Sequence, residues 1–89
     1  MTYTVVLLRE KDGRYSALAP ALGVASWGHT VPEALQMVEE AIRLYVECLR
    51  EHDEPVPGDT TTFTVEMGDA TDALIYKVRV RVPAEGCVA

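Results

Sequence analysis

Gly28-His29-Thr30-Val31-Pro32-Glu33-Ala34-Leu35 opens the stretch that decides the fold, and Glu54-Pro55-Val56-Pro57 closes it. Thr30 and Glu33 stand at capping-box spacing: the threonine hydroxyl accepts from the amide of Glu33, and the glutamate carboxylate reaches back to the Thr30 amide. Pro32 falls in the first turn, where amides have no intrahelical partner. Pro55 and Pro57 cannot continue a helix and push the residue before each out of helical geometry. The spacing predicts one helix from about Val31 to about His52, roughly 33 Å at 1.5 Å per residue.

Placed around that axis, Leu44, Met37, Cys48, Ala41, Ala34, Tyr45, Val38, Leu49, Ile42, Leu35 and Val46 follow one another without a polar interruption. Their arc is about 200° wide, against the stripe of ~100° or somewhat more that a surface helix normally needs. Two readings account for the excess. Either both flanks lie in the chain's own core, or one flank is left for a second subunit. The expectation taken here is the second: Ala34, Val38, Ile42, Tyr45 and Leu49 on the chain's own sheet, and Met37, Leu44 and Cys48 at an interface between copies. The remaining face carries Glu39, Glu40, Arg43, Glu47, Arg50 and Glu51, of which Glu39 and Arg43 form an i, i+4 pair.

A chain of 89 residues has room for one domain, placed here as residues 1–89, and oligomerisation commonly helps so small a core. With 48% apolar residues it is globular rather than disordered. A net charge of −6 argues against general affinity for nucleic acid and suits a basic protein partner. Val5-Val6-Leu7-Leu8 is too short for a signal peptide or a membrane span, so a cytoplasmic protein is expected. Cys48 and Cys87 have neither the number nor the spacing of a disulfide framework or a zinc site.

Around the helix the apolar pattern has a period of two. Thr2 to Leu8 is apolar on both alternations, as in a central strand buried on both faces. Asp12-Gly13 turns a hairpin into a return strand, Tyr15 to Ala19, and Val24 to Trp27 is a short third strand. After the helix, Thr61 to Met67 sets Phe63, Val65 and Met67 against Thr62, Thr64 and Glu66. Leu74 to Val82 sets Tyr76, Val78, Val80 and Val82 against Lys77, Arg79 and Arg81. The predicted order is β-β-β-α-β-β, an α+β fold with an antiparallel or mixed sheet and one long helix on one face.

Read in order, these pieces resemble a known family. They are Asp12-Gly13-Arg14-Tyr15, the proline loop Ala19-Pro20-Ala21-Leu22-Gly23, Ser26-Trp27-Gly28-His29-Thr30 before Glu33-Ala34, then Glu40-Ala41-Ile42, and Glu54-Pro55-Val56-Pro57. Over about residues 2 to 57 the chain looks like the HicB-like antitoxins of HicA/HicB toxin–antitoxin systems. It departs from their pattern at Ala21, where an acid is usual, at Val24, where a cysteine is usual, and at Asp53, where a glycine is usual; the loop is also one residue shorter. The resemblance implies a partial ribonuclease-H-like fold without catalysis. It also implies a role in covering a small basic RNA-cleaving toxin, HicA. Many such proteins add a DNA-binding module, but the chain after Pro57 reads as two strands, so a stand-alone domain is expected.

Catalysis has little to work with. A ribonuclease-H site needs clustered carboxylates for two divalent ions. Neither long strand carries such a cluster, and Glu10 and Asp12 are ordinary turn residues. His29 and His52 stand at opposite ends of the helix and cannot share a metal. No cofactor motif is present. Lys77, Arg79 and Arg81 form a basic stripe on one strand face. Their alternative reading is a nucleic-acid contact, but that face lacks the interleaved aromatics of a stacking platform, and a charge-guarded strand explains it as well.

Overall fold

A computed structural model describes residues 1–81; the expectations for Val82 and Cys87 lie outside them. Four strands and one helix follow in order: β1 (Thr2–Arg9), β2 (Tyr15–Ala19), β3 (Val24–Gly28), α1 (Val31–Glu51) and β4 (Asp72–Arg79). The strands form one sheet in the order β3-β2-β1-β4, antiparallel throughout. The expected α+β class holds, with the helix against one sheet face.

β1 is central, as its two-sided apolarity requires, and Tyr3 through Leu7 are all buried. The hairpin before β2 is held by Gly13 at φ 91, a left-handed position that favours glycine, and by the Asp12 carboxylate, which accepts from the Arg14 amide at 3.0 Å. The core joins Tyr3, Val5 and Leu7 of β1 with Ala17 and Ala19 of β2. Above them lie Ala34, Val38, Ile42 and Val46 of α1. Gly28 ends β3 directly beneath the first turn of the helix, where Ala34 packs on it.

Both helix ends form where the sequence puts them. Thr30, extended at φ −133, accepts from the Glu33 amide at 3.2 Å. The Glu33 carboxylate reaches one residue further back than expected and accepts from the His29 amide at 2.8 Å. At the other end Asp53 is left-handed, φ 54. Its amide donates to the carbonyl of Arg50 at 3.1 Å and that of Glu54 to Leu49 at 2.8 Å, the paired bonds of a Schellman motif. This is the position where the resembling family prefers glycine. Thr30→Ala removes the N-terminal cap and is expected to cost about 1 kcal/mol. Urea unfolding would show this as a lower midpoint at unchanged slope.

Three sequence expectations need correction. Thr61–Met67 forms no strand, so the order is β-β-β-α-β. Its alternation is real, since Phe63 and Val65 are half-buried between exposed threonines. The segment uses it to lie across the sheet face opposite the helix, with Thr64, Val65 and Glu66 beside Val6, Leu8, Ser16 and Leu18. Tyr45 is 40% exposed, and Val46 takes the core position instead. The buried residues Ala34, Val38, Ile42 and Val46 recur at i, i+4, and each such step drifts about 40° around the axis. The contact line therefore turns away from Tyr45 and toward Val46. Last, the strand expected from Leu74 to Val82 runs instead as Asp72–Arg79, because it pairs with β1 along its whole length, from Arg9↔Asp72 to Thr2↔Arg79.

Candidate protein-interaction surface

The helix lies mainly over β3 and β2, and β3 is the edge of the sheet. One flank of α1 faces inward over β1: Val46 is fully buried there, and the charge of Arg50 acts on the hydroxyl of Tyr3. The opposite flank therefore faces outward, past the β3 edge. On it stand Met37, 43% exposed, Leu44, 57% exposed, and Cys48, also exposed, with Tyr45 beside them. The three residues expected at an interface thus share one solvent-facing stripe. Glu33, Glu40 and Glu51, all exposed, form a ridge along its outer side.

Cys48 and His52 are one helical turn apart, Sγ to Nδ1 3.7 Å, and the same Nδ1 lies 2.9 Å from the Cys48 carbonyl oxygen. That hydrogen bond to the end of the helix raises the His52 pKa above the usual histidine value. His29 stands at the other end of α1 with its ring edge-on to Trp27, centroids 5.1 Å apart, and the Arg14 guanidinium lies 5.2 Å from the centre of the Trp27 ring. Trp27 is 48% exposed. A cleft of about 480 Å³, lined by Glu10, Arg14, Ser16, Leu18, Ala25 and Trp27 among others, opens beside it on the face opposite the helix.

The carboxylates in the hairpin are engaged in holding the turn. Glu10 accepts from the Ser16 hydroxyl at 2.9 Å, and Asp12 pairs with Arg14 at 2.8 Å. Among the described residues no three of His, Cys, Asp and Glu come together in a way that could hold a metal. No helix there is long and apolar enough to cross a membrane.

The basic stripe is arranged differently from its sequence reading. Lys77, Arg79 and Arg81 all face solvent, but the Lys77 ammonium donates to the Thr4 hydroxyl at 2.6 Å and to the Asp59 carboxylate at 3.0 Å. Asp59 is the hub. It also accepts from the Thr4 amide at 2.9 Å and the Thr4 hydroxyl at 2.7 Å. The β1–β2 ladder ends at Val6↔Leu18, so the carboxylate takes the place of a strand for Thr4. Partial burial works to raise the Asp59 pKa, but the bonds from Thr4 and Lys77 outweigh it and hold the carboxyl well below the usual range. The sequence offered no local signal for this hub: Asp59 follows Pro57-Gly58 and reads as a turn residue. The exposure of Trp27 was equally hidden, since its strand alternation does not reveal which edge of the sheet stays open.

A family model described as "HicB_like antitoxin of bacterial toxin-antitoxin system" matches residues 3–82. A UPF0150 protein of Thermoplasma acidophilum is 45% identical over 60 residues, covering 66% of this chain and 87% of that protein. The crystal structure of the N-terminal domain of the Burkholderia pseudomallei antitoxin HicB superimposes with a TM-score of 0.70 at 30% identity. It covers 92% of this chain and 100% of that one. A chain from a HicA–HicB toxin–antitoxin complex shares the fold, with a TM-score of 0.64 at 18% identity, over 91% of this chain and 99% of that one.

Proposed function

The chain belongs to the HicB-like antitoxin family, and from that membership we propose that it acts by binding, without catalysing a reaction. Its target is a small, basic, RNA-cleaving toxin of the HicA kind, and its own copies associate through Met37, Leu44 and Cys48. The observation that carries the reading is the outward flank of α1. It is an apolar stripe rimmed by Glu33, Glu40 and Glu51 on a chain of net charge −6. Exposed apolar area of this kind marks a protein-binding surface, here the one between copies, while the net negative charge of the chain steers a basic toxin toward the molecule as a whole. The alternative, a nucleic-acid contact through Lys77, Arg79 and Arg81, is weakened by the commitment of Lys77 to Asp59 and Thr4.

The test is inhibition. Purified chain titrated into a HicA-type nuclease acting on an mRNA is expected to bring cleavage to background near equimolar ratio. Association should slow by about tenfold from low to physiological salt. Undiminished cleavage in the presence of a large molar excess would exclude toxin neutralisation. A gel-shift that depended on Arg79 and Arg81 would favour the nucleic-acid reading instead.

A further inference from the structure

The two open edges of the sheet differ. β4 carries Asp72, Lys77 and Arg79, the charges by which proteins discourage strand addition. β3 reads Val24-Ala25-Ser26-Trp27-Gly28, with no charge and no proline, and nothing pairs with its outer side among the described residues. The direction of its free hydrogen-bonding groups follows from the ladder. Met1 and Val80 exchange bonds across β1 and β4, so odd residues of β1 turn toward β4 and even ones toward β2; the Glu10 amide, donating to the Arg14 carbonyl at 2.8 Å, agrees. Carrying the alternation across β2 turns Val24, Ser26 and Gly28 toward β2. Ala25 and Trp27 are left with their amides and carbonyls pointing out of the sheet.

We propose that β3 pairs antiparallel with β3 of a second copy about a two-fold axis at Ser26, making one eight-stranded sheet. This rests on the self-association part of the reading above and supplies its geometry. Ala25 of each copy exchanges two hydrogen bonds with Trp27 of the other. A two-fold axis normal to the sheet keeps both helices on one face, so their outward flanks meet. Strands in a sheet lie about 4.8 Å apart, and α1 packs over both β3 and β2; an axis between those two strands lies roughly half a strand spacing inside the edge. The two helix axes then run about 10 Å apart, the separation of packed helices. Ala41, beside Met37 on that flank, is small enough to allow it. The face is about 20 Å deep and 25 Å long, roughly 500 Å² in flat projection. With side-chain relief this approaches the ~800 Å² per partner of a standard interface. A second copy suits the surface because it brings an uncharged edge and an apolar helix flank at the same spacing, with the exposed Glu33, Glu40 and Glu51 left at the solvent rim of the contact.

Ala25→Pro tests the edge. It removes an outward donor and none of the bonds to β2, so the protomer keeps its fold while the shared ladder is lost. Sedimentation of the wild-type chain at micromolar concentration is expected to show a dimer, and Ala25→Pro to weaken it at least ~100-fold, with circular dichroism unchanged. Leu44→Asp should also weaken it. Hydrogen exchange on the wild type gives a second measure that needs no variant: the Ala25 and Trp27 amides should slow markedly on dimerisation. A dimer that survives Ala25→Pro and leaves those amides fast, but dissociates with Leu44→Asp, overturns the edge pairing while the flank reading stands. A wild-type monomer overturns both and leaves toxin binding to its own test. Protection of the two amides only on adding a HicA-type protein would assign the edge to that partner and overturn the proposal.

Discussion

Gly28→Ala is expected to lower stability by about 3 kcal/mol or more, among the larger effects of any single methyl group in this domain. An added Cβ would lie 2.5 Å from the Ala34 nitrogen and 2.9 Å from its Cα. Both are backbone atoms in the first turn of α1, so no side-chain rotation relieves the clash. Either β3 bends away or the helix lifts. Lifting it would loosen Ala34 and then Val38 and Ile42, which are fully buried behind it. For a domain of this size the melting temperature should fall by roughly 12–24 °C. A fall of only a degree or two would show that helix and strand can separate cheaply. The β3 edge would then be a less rigid platform than its contacts suggest.

The second large effect is expected at Asp59. Asp59→Ala takes away the acceptor for the Thr4 amide, which lies in a residue only 3% exposed, and for the Thr4 hydroxyl and Lys77. A buried donor left without a partner costs ~1–3 kcal/mol, and with the other bonds lost about 2–3 kcal/mol is expected. The effect carries a pH signature. Because the folded carboxyl titrates below its unfolded value of about 3.9, its contribution is complete above that pH and is lost as pH falls through and below it. Thermal melts should therefore separate wild type and Asp59→Ala widely at neutral pH and bring them together toward pH ~2. A gap of constant size across that range would mean that the carboxylate charge contributes nothing. In that case the variant acts only through packing.

Much of the fold was legible because its signals were local. Thr30, Glu33, Pro32 and Pro55 bracket the helix by chemistry that operates within one turn. Asp12-Gly13 sets the hairpin by backbone conformation alone, and the two-sided apolarity of Tyr3 to Leu7 could only suit a central strand. What failed depended on tertiary geometry. Phe63 and Val65 alternate with threonines whether the segment pairs in a sheet or lies across one, and periodicity does not separate the two. Tyr45 and Val46 exchanged places because the buried residues run i, i+4 from Ala34 to Val46 and so drift about 40° per step around the axis, which a single fixed face drawn on a wheel omits. Met37, Leu44 and Cys48 were identifiable as excess apolar surface, and the structure puts them together on the outward flank. Which sheet edge accompanies that flank became visible only once the strand order was known.

The neighbours of β1 reach it through very different lengths of chain. β2 returns after a hairpin of a few residues, whereas β4 comes back only at Asp72, after two further strands, the whole helix and the long return segment. Closing a longer loop costs more chain entropy before any contact compensates. The N-terminal hairpin, β3 and the helix can therefore assemble first, and β4 docks last along the full length of β1. Until it does, β1 exposes a long apolar rim, the kind of template on which nascent chains misassociate. The late strand is also the one dense in charge, so the stretch of chain that waits longest for its place is the least prone to find a wrong one.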